Sequence, residues 1–217
     1  LRGFRFDDPA GEVGIETLVL RDDATTPPTV YQVPLTYRGA PLVGAERALV
    51  GTMEHSVLGT RYVYDGPHDP VYVAALWRFI QGRAQAQAAG VSNTVEPAFS
   101  GHTVPGRYAA RSSDVTASRV LGGEQSNTSI VCGVADLGPV IVKVFRTLSP
   151  GANPDVVLQP ALAAAGCEHV PTTLGWVSGQ WADGQEEGHL AFAQEFLAGT
   201  QDAWRVATES VAAGSDL

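Results

Sequence analysis

A lysine and a polar, glycine-containing loop are the parts of this chain best suited to chemistry. Lys143 lies within the β-branched run Val142-Lys143-Val144, and the loop sequence L-G-G-E-Q-S-N-T-S covers residues 121–129. Glycines and short polar side chains at a turn between strands let backbone amides approach an anion. A lysine on a nearby strand would add a positive charge beneath that turn. The combination predicts a cradle for nucleotide phosphates. It is not a Walker loop, because no Gly-Lys-Ser/Thr follows.

Strands and one helix must position this cradle, and the hydrophobic pattern predicts them. Asn153 is the predicted N-cap of a helix, Pro154 suits its first helical position, and Gly166 is expected to end it. The predicted order is a strand at 120–121, a strand at 128–134, a turn at 136–139, a strand carrying Lys143, a helix at 154–165, and strands at 169–177 and 190–197 joined by a charged loop at 180–188.

The first part of the chain is predicted to be rich in β-structure. Short alternating runs separated by turn signals cover residues 1–75, which indicates an antiparallel sheet. Pro34 lies inside one run and predicts an edge strand or a bulge. A helix is predicted at 71–89 from its broad apolar face. Residues 90–118 are rich in glycine, proline and small polar residues, and predict a connector with one or two strands.

Composition limits the classes of function. The 217 residues are 44% hydrophobic and 17% charged, which is typical of a globular protein with one large or two small domains. The net charge of −9 argues against nucleic acid or an anionic membrane as the main partner. Cys132 and Cys167 are isolated, so buried free thiols and a cytoplasmic location are expected. No apolar run of about 18 residues suggests a membrane span.

Two further features concern the histidines and the chain ends. His68 stands between two prolines, and a turn residue that caps the next helix is a simpler interpretation than a catalytic one. None of the five histidines has metal-ligand spacing, so no metal site is predicted. The chain starts at Leu1 rather than a methionine and ends in a helix-like run, so we expect a fragment of a longer protein.

Three motifs of this chain resemble those of the maltokinase family, whose members are similar to aminoglycoside phosphotransferases. The motifs are G-E-Q-S-N-T-S at 123–129, V-K-V-F-R at 142–146 and N-P-D-V at 153–156. Weaker matches lie around 194–196, at Trp204 with 207–211, and at 64–75, where the chain resembles the family's N-terminal cap domain. Trp204 also has a simpler interpretation as a packing residue.

The resemblance implies an α+β fold, with a β-rich N-terminal cap domain followed by a protein-kinase-like N-lobe of antiparallel sheet plus helix. The C-terminal lobe of such a kinase is absent from these residues. The implied domains are a cap at 1–90, a connector at 91–118, an N-lobe with an ATP-binding loop at 119–198, and a hinge exit with the start of a C-lobe helix at 199–217.

The resemblance also implies site residues. The loop would cover the ATP phosphates, Lys143 would pair with the α and β phosphates, and the backbone of Glu195 and Leu197 would contact adenine. An edge charge is the alternative for Lys143 alone, and a surface loop is the alternative for Glu195. The implied ATP-binding residues are Gly122, Gly123, Gln125, Ser126, Asn127, Thr128, Lys143, Glu195 and Leu197.

One position departs from the family pattern. The kinase lysine normally pairs with a glutamate on the following helix, and that position is Val157 here. Asp155 and Gln159 are the only polar candidates on this helix, and Asp155 lies in the first turn, where a carboxylate more simply favours the helix dipole. Either another carboxylate holds Lys143, or the protein binds nucleotide less well than its relatives.

The resemblance implies transfer of phosphate from MgATP to maltose, giving maltose 1-phosphate, within trehalose and α-glucan metabolism and glycogen biosynthesis. ATP and Mg²⁺ are the implied cofactors, and trehalose synthase is an implied partner that could dock on the acidic cap. No His-Gly-Asp or Asp-Phe-type motif occurs, so no catalytic residue is predicted here and the fragment alone should not be catalytic. A kinase of another sugar such as glucosamine, and a non-catalytic kinase-like assembly module, remain as alternatives.

Overall fold

The computed structural model describes residues 2–82, 86–88, 99–104, 114–122, 126–181, 185–201 and 203–214. These residues form two antiparallel sheets and three α-helices, so the α+β prediction is confirmed. In chain order the strands are β1 (Arg2–Phe6), β2 (Val13–Asp22), β3 (Thr29–Arg38), β4 (Leu49–His55), β5 (Gly59–Asp65), β6 (Gln87–Ala88), β7 (Phe99–Thr103), β8 (Val115–Val120), β9 (Asn127–Val134), β10 (Gly138–Phe145), β11 (Thr147–Leu148), β12 (Thr173–Trp181) and β13 (Glu186–Glu195). The helices are α1 (Pro70–Ile80), α2 (Pro154–Ala164) and α3 (Ala203–Ala213).

The two sheets share one continuous stretch of chain. The first sheet has the order β4-β5-β3-β2-β1-β6, with β11 also paired to β3, and the second has the order β7-β12-β13-β10-β9-β8. Because β11 follows β10 after a single residue, Arg146, the strand that carries Lys143 leads directly into the first sheet. The strand, loop, strand, turn, strand, helix and two-strand order predicted around Lys143 is observed.

Pro34 occupies a gap rather than an edge or a bulge. On one side of β3, residues Leu35 to Arg38 pair with β5 and residues Val30 and Tyr31 pair with β11. Pro34 falls between these two segments, where its missing N–H breaks no ladder on that side. The other side of β3 pairs continuously with β2.

Helix α1 is shorter than the pattern predicted. Asp69 is its N-cap and accepts a hydrogen bond from the N–H of Val71, so the cap is Asp69 and not His68. The helix ends at Ile80 rather than near residue 89, because Gly82 adopts a φ of 68° and its N–H bonds to the carbonyl of Phe79. Residues Gln87–Ala88 belong instead to β6, which pairs with β1.

The core lies where α1 is packed between the sheets. The helix contacts β1 of the first sheet and β7, β8 and β12 of the second, and seven of its eleven residues are buried. Gly101 on β7 permits this approach, since a Cβ there would lie 1.8 Å from the carbonyl oxygen of Phe79. Phe4 and Phe99, one from each sheet, have ring centroids 4.2 Å apart. The two sheets therefore share a single apolar core.

Helix α2 begins and ends as predicted. Asn153 accepts a hydrogen bond from the N–H of Asp155, and Gly166 has a φ of 84°. The N–H groups of Gly166 and Cys167 bond to the carbonyls of Ala163 and Leu162, which is the Schellman pattern of a helix end. Strands β12 and β13 extend further into the 180–188 segment than the predicted loop allowed.

Three smaller expectations have mixed outcomes. Both cysteines are free, but Cys132 is buried whereas Cys167 is only half-buried. Burial raises the pKa of the Cys132 thiol to about 12, so it stays protonated near neutrality. Trp204 on α3 is 77% exposed, so the described residues supply little packing around it, and its packing role stays a prediction. No helix among the described residues has the length and apolar character needed to cross a membrane.

Candidate functional site

Lys143 lies on an interior strand of the second sheet. Strand β10 runs between β9 and β13, which place Ser129 and Phe192 directly opposite Lys143. Val142 and Val144 are buried in the shared core. Because side chains alternate along a strand, Lys143 points to the other face of the sheet, on the side of α2. An edge position for this lysine, which was the alternative interpretation, is therefore wrong.

The carboxylate of Asp155 holds the ammonium group of Lys143. The Nζ to Oδ2 distance is 2.8 Å, and the two side chains are 22% and 37% exposed. Asp155 also lies in the first turn of α2, where it complements the helix dipole, so the two interpretations of this residue are compatible. Val157 is 45% exposed. Residues two apart on a helix face nearly opposite directions, so a side chain at position 157 does not share the direction of Asp155.

The ends of the predicted loop lie beside Lys143 in the sheet. Within the loop sequence, Gly122 lies near the end of β8, Ser126 directly precedes β9, and Asn127 and Thr128 are the first two residues of β9. Asn127 is in register with Phe145, and Ser129 with Lys143. By strand alternation Asn127 shares the face of Lys143. The loop residues Gly123 and Gln125 lie outside the described residues, and their predicted role stays a prediction.

Arg146 joins the end of this loop to the first sheet. Its Nη2 donates to both carboxylate oxygens of Asp65 at 2.7 Å, and its Nε donates to Oγ1 of Thr128 at 2.8 Å. Its backbone N–H donates to the carbonyl of Ser126 at 3.0 Å. The Thr128 hydroxyl is thus bonded to an arginine on the opposite side from Lys143. The sequence motif included Arg146 but gave no signal for its partner Asp65, which ends β5.

A buried amide makes a second connection between the sheets. Gln32 on β3 is 4% exposed, and its Nε2 donates to the carbonyls of Phe145 and Leu190 at 2.9 and 3.0 Å. Its backbone N–H donates to the carbonyl of Arg146. One side chain of the first sheet therefore bonds to both β10, which carries Lys143, and its neighbour β13.

The predicted hinge residues lie together at the far end of β13. Glu195 accepts from the hydroxyl of Thr172 at 2.9 Å and its N–H donates to the carbonyl of Thr172. Glu195 and Leu197 both line an open cavity of about 780 Å³, together with residues of the last turn of α2 and the segment after it. Lys143 and the loop ends do not line this cavity. Among the described residues, Glu195 and Leu197 therefore lie together, apart from Lys143, Asn127 and Thr128.

The start of α2 is attached to β13. The N–H of Gly151 donates to the carbonyl of Glu187, and the N–H of Asn153 donates to Nδ1 of His189 at 3.0 Å. Burial and the neighbouring His102 lower the pKa of His189, and Glu187 opposes them. His102 itself stacks on Trp176 and lies 2.7 Å from the hydroxyl oxygen of Ser178. Sequence reasoning assigned no role to these two histidines.

The described residues contain no group of three or more histidine, cysteine, aspartate or glutamate side chains arranged to hold a metal ion. Lys143, paired with Asp155, and Asn127 lie instead on one face of the second sheet.

The first part of the chain is similar to a known family of domains. Residues 1–69 match the maltokinase N-terminal cap domain. The matched residues include strands β1 to β5, most of the first sheet, and both Gln32 and Asp65. The predicted boundaries at residues 90, 118 and 198 stay predictions.

Two solved structures are similar to nearly the whole chain. One is glucosamine kinase in complex with glucosamine, ADP and inorganic phosphate, at 21% identity and a TM-score of 0.48, with 98% of this chain and 40% of that chain covered. The other is glucosamine kinase in crystal form A, at 21% identity and a TM-score of 0.45, with 97% and 38% covered. The chain therefore spans about two fifths of the length of these kinases. Similarity of this degree does not assign a substrate.

Proposed function

We propose that this chain is the cap and ATP-binding half of a sugar kinase that uses MgATP. The observation that carries the proposal is the pair formed by Lys143 and Asp155, on the face of the sheet beside the polar loop. A lysine held by a carboxylate from the following helix is the arrangement that positions a cation for the α and β phosphates in kinase-type sites. The match of residues 1–69 to a maltokinase cap supports a sugar as the acceptor.

The site residues fit the phosphate end of ATP. Lys143 would neutralise charge on the α and β phosphates, while Ser126, Asn127 and the loop before them would offer hydroxyl, amide and backbone donors. Asp155 would hold the lysine side chain in place, so that less conformational freedom is lost when nucleotide binds. Glu195 and Leu197 would supply the adenine contacts through their backbone at the hinge. Mg²⁺ would enter with the nucleotide, and we assign it no ligand among the described residues.

We propose maltose as the sugar and maltose 1-phosphate as the product. The support is the cap family together with the E-Q-S-N-T-S and V-K-V-F-R motifs, which resemble maltokinases. Phosphoryl transfer also needs a base for the acceptor hydroxyl and ligands for Mg²⁺. We do not assign either of them to residues 1–217, so the activity belongs to the full-length protein.

The alternative of a non-catalytic assembly module loses its main support. That alternative depended on Val157, which left Lys143 without a carboxylate on the helix. Asp155 supplies the carboxylate from a position two residues earlier, 2.8 Å from the lysine.

Calorimetry and a transfer assay test the proposal on the full-length protein. We expect the wild type to bind MgATP and Lys143→Ala to bind it at least about tenfold more weakly. The exposed-arginine control Arg21→Ala should bind MgATP with the wild-type affinity. Maltose should become phosphorylated, whereas glucosamine should not. If glucosamine and not maltose is phosphorylated, the protein is still a sugar kinase, but glucosamine replaces maltose as the proposed acceptor. Equal MgATP affinity in the wild type and Lys143→Ala would contradict the nucleotide site.

Trehalose synthase is a proposed partner, with the acidic cap as its docking surface. Mixing the two purified proteins and measuring their joint sedimentation tests this proposal. Separate sedimentation at concentrations of tens of micromolar would contradict it.

A further inference from the structure

The segment that precedes α2 is fastened to β13 at successive residues. The N–H of Gly151 donates to the carbonyl of Glu187 at 2.7 Å, and Gly151 forms an isolated parallel bridge with Gly188. Two residues later, the N–H of Asn153 donates to Nδ1 of His189 at 3.0 Å. The contacts advance in step along both segments, so they fix the position and direction of the chain as it enters the helix.

Gly188 lies close to the backbone of the segment before α2. A Cβ placed on Gly188 would lie 2.7 Å from the carbonyl oxygen of Ser149 and 2.7 Å from Cη2 of Trp181. The segment before α2 therefore runs directly against the backbone of β13. His189 is the next residue along β13, and its ring extends this contact to the first capping residue of the helix.

The same residues connect His189 to the lysine of the proposed nucleotide site. Asn153 is the N-cap of α2 and accepts from the N–H of Asp155 at 3.0 Å. Asp155 in turn holds Lys143 at 2.8 Å. A displacement of Asn153 would therefore displace the carboxylate that holds the lysine. One ring nitrogen on β13 lies at the start of this series of contacts.

We propose that His189 is a positioning residue for Lys143: its neutral ring holds the N–H of Asn153 and fixes the start of α2, and protonation of the ring releases it. The proposal depends on the proposed function, because it assigns Lys143 to a nucleotide. Nδ1 can accept only when it carries no proton, so the neutral ring has its proton on Nε2. A protonated ring would present an N–H to the N–H of Asn153 and lose the bond.

Groups around the ring favour the neutral form. Burial and His102 of β7 lower the pKa of His189, while Glu187 on its own strand raises it. From β12, the neutral hydroxyl of Ser178 lies opposite His189. From α2, the helix N-terminus brings the positive end of its dipole toward the ring, which also disfavours a cation.

The direction of the pH dependence follows from this lowered pKa. The unfolded ring takes up its proton near the ordinary pKa of 6.5, and the folded ring does so at a lower pH. The stabilising contribution of His189 is therefore fully present above 6.5 and is lost as the pH falls through the folded pKa. The start of α2 should loosen in mildly acidic solution.

Hydrogen exchange on the full-length protein tests the proposal without requiring any nucleotide. Protection factors for the amides of residues 153 and 155–157 would be measured from about pH 8 to about pH 5, with α1 as the internal reference for global folding. We expect wild-type protection to fall about fivefold over this range, which corresponds to the loss of one hydrogen bond. MgATP affinity should fall in parallel.

Three variants make the test specific. His189→Asn replaces Nδ1 with a carbonyl oxygen that accepts but does not titrate, so protection should stay constant with pH. His189→Ala should show the low value at every pH, and the exposed-histidine control His55→Asn, on β4 of the first sheet, should behave as the wild type. Identical pH profiles for wild type and His189→Asn, or full protection in His189→Ala at about pH 8, would overturn the proposal. If no variant binds MgATP, the proposed function fails while the protection profiles still decide the role of His189.

Discussion

Lys143 and Asp155 form an ion pair with a nitrogen-to-oxygen distance of 2.8 Å, across the contact between β10 and the first turn of α2. Both side chains are partly exposed, so the pair adds little to the free energy of unfolding, on the order of 0.5 kcal/mol. Its effect is geometric, because it restrains a flexible lysine on the face of the sheet that carries Asn127 and Ser129. A polyanion reaching this face would meet a positioned cation.

Removal of this carboxylate should weaken nucleotide binding without unfolding the protein. In Asp155→Asn the lysine loses its restraint, and we expect MgATP affinity to fall about threefold to tenfold, less than in Lys143→Ala. The free energy of unfolding should fall by no more than about 1 kcal/mol, because the ion pair that is lost is partly exposed. Isothermal titration calorimetry and urea unfolding measure the two quantities on the same preparations.

A glutamate at position 157 should not replace Asp155. Val157 is 45% exposed and lies two residues further along α2, which places it on nearly the opposite side of the helix. The double variant Asp155→Asn with Val157→Glu should bind MgATP as weakly as Asp155→Asn alone. Recovery of wild-type affinity in the double variant would show that α2 turns to present position 157 to Lys143, contrary to the described arrangement.

Gly101 is required for the packing of α1 on β7. A Cβ at this position would lie 1.8 Å from the carbonyl oxygen of Phe79 and 2.6 Å from its carbonyl carbon, which are backbone atoms that cannot rotate away. Gly101→Ala should therefore lower the free energy of unfolding by about 2–3 kcal/mol, as expected for overpacking in a core. Gly51→Ala is the matched control, since a Cβ there meets no atom within 4 Å. Equal stability of the two variants in urea unfolding would disprove this close approach.

Local sequence signals predicted the elements, and they failed where the outcome depends on distant contacts. Alternation and β-branching identified β9 and β10, and Asn153 with Pro154 identified the start of α2. The pattern did not choose between two interpretations of Asp155, because the choice depends on where the second sheet, through β12 and β13, places the start of α2. Nor could it predict the pairing of Arg146 with Asp65, which are 81 residues apart, since no local pattern records a contact across two sheets.

Helix α1 shows the same limit in another form. Its apolar face predicted a helix as far as residue 89, but the structure ends it at Ile80 and places Gln87–Ala88 in β6 beside β1. Gly82 was an available stop signal, with its positive φ of 68°. Helical propensity is a weak preference, and pairing with a distant strand outweighs it.

Gln32 should contribute to stability through its two side-chain hydrogen bonds. Gln32→Leu conserves the approximate size of the side chain but removes the donor that serves the carbonyls of Phe145 and Leu190. Because both bonds are buried, we expect a loss of about 2–3 kcal/mol in the free energy of unfolding. Gln180→Leu is the control at an exposed position, with an expected change below about 0.5 kcal/mol. Urea unfolding measures both variants. Equal stability of Gln32→Leu and Gln180→Leu would show that the buried amide of Gln32 is dispensable.

Arg146 should couple the first sheet to the start of β9. Its guanidinium contacts both oxygens of Asp65 and the hydroxyl of Thr128, with Arg146 21% and Asp65 28% exposed. Arg146→Ala should cost about 2–3 kcal/mol of stability, and Arg146→Lys should recover only part, because an ammonium group cannot reproduce the planar fork. Urea unfolding of these variants measures the loss.

A double-mutant cycle separates the Asp65 contact from the rest of this network. Arg146→Ala, Asp65→Asn and the double variant should give a coupling energy of about 1–2 kcal/mol. The exposed pair Arg21 and Asp23, at 48% and 65% exposure, is the matched control and should give below about 0.5 kcal/mol. Since Thr128 begins β9 directly after the loop, Asp65→Asn should also weaken MgATP binding, although it lies outside the nucleotide site. A coupling energy near zero, with unchanged nucleotide affinity, would mean that the cap and the loop are energetically independent.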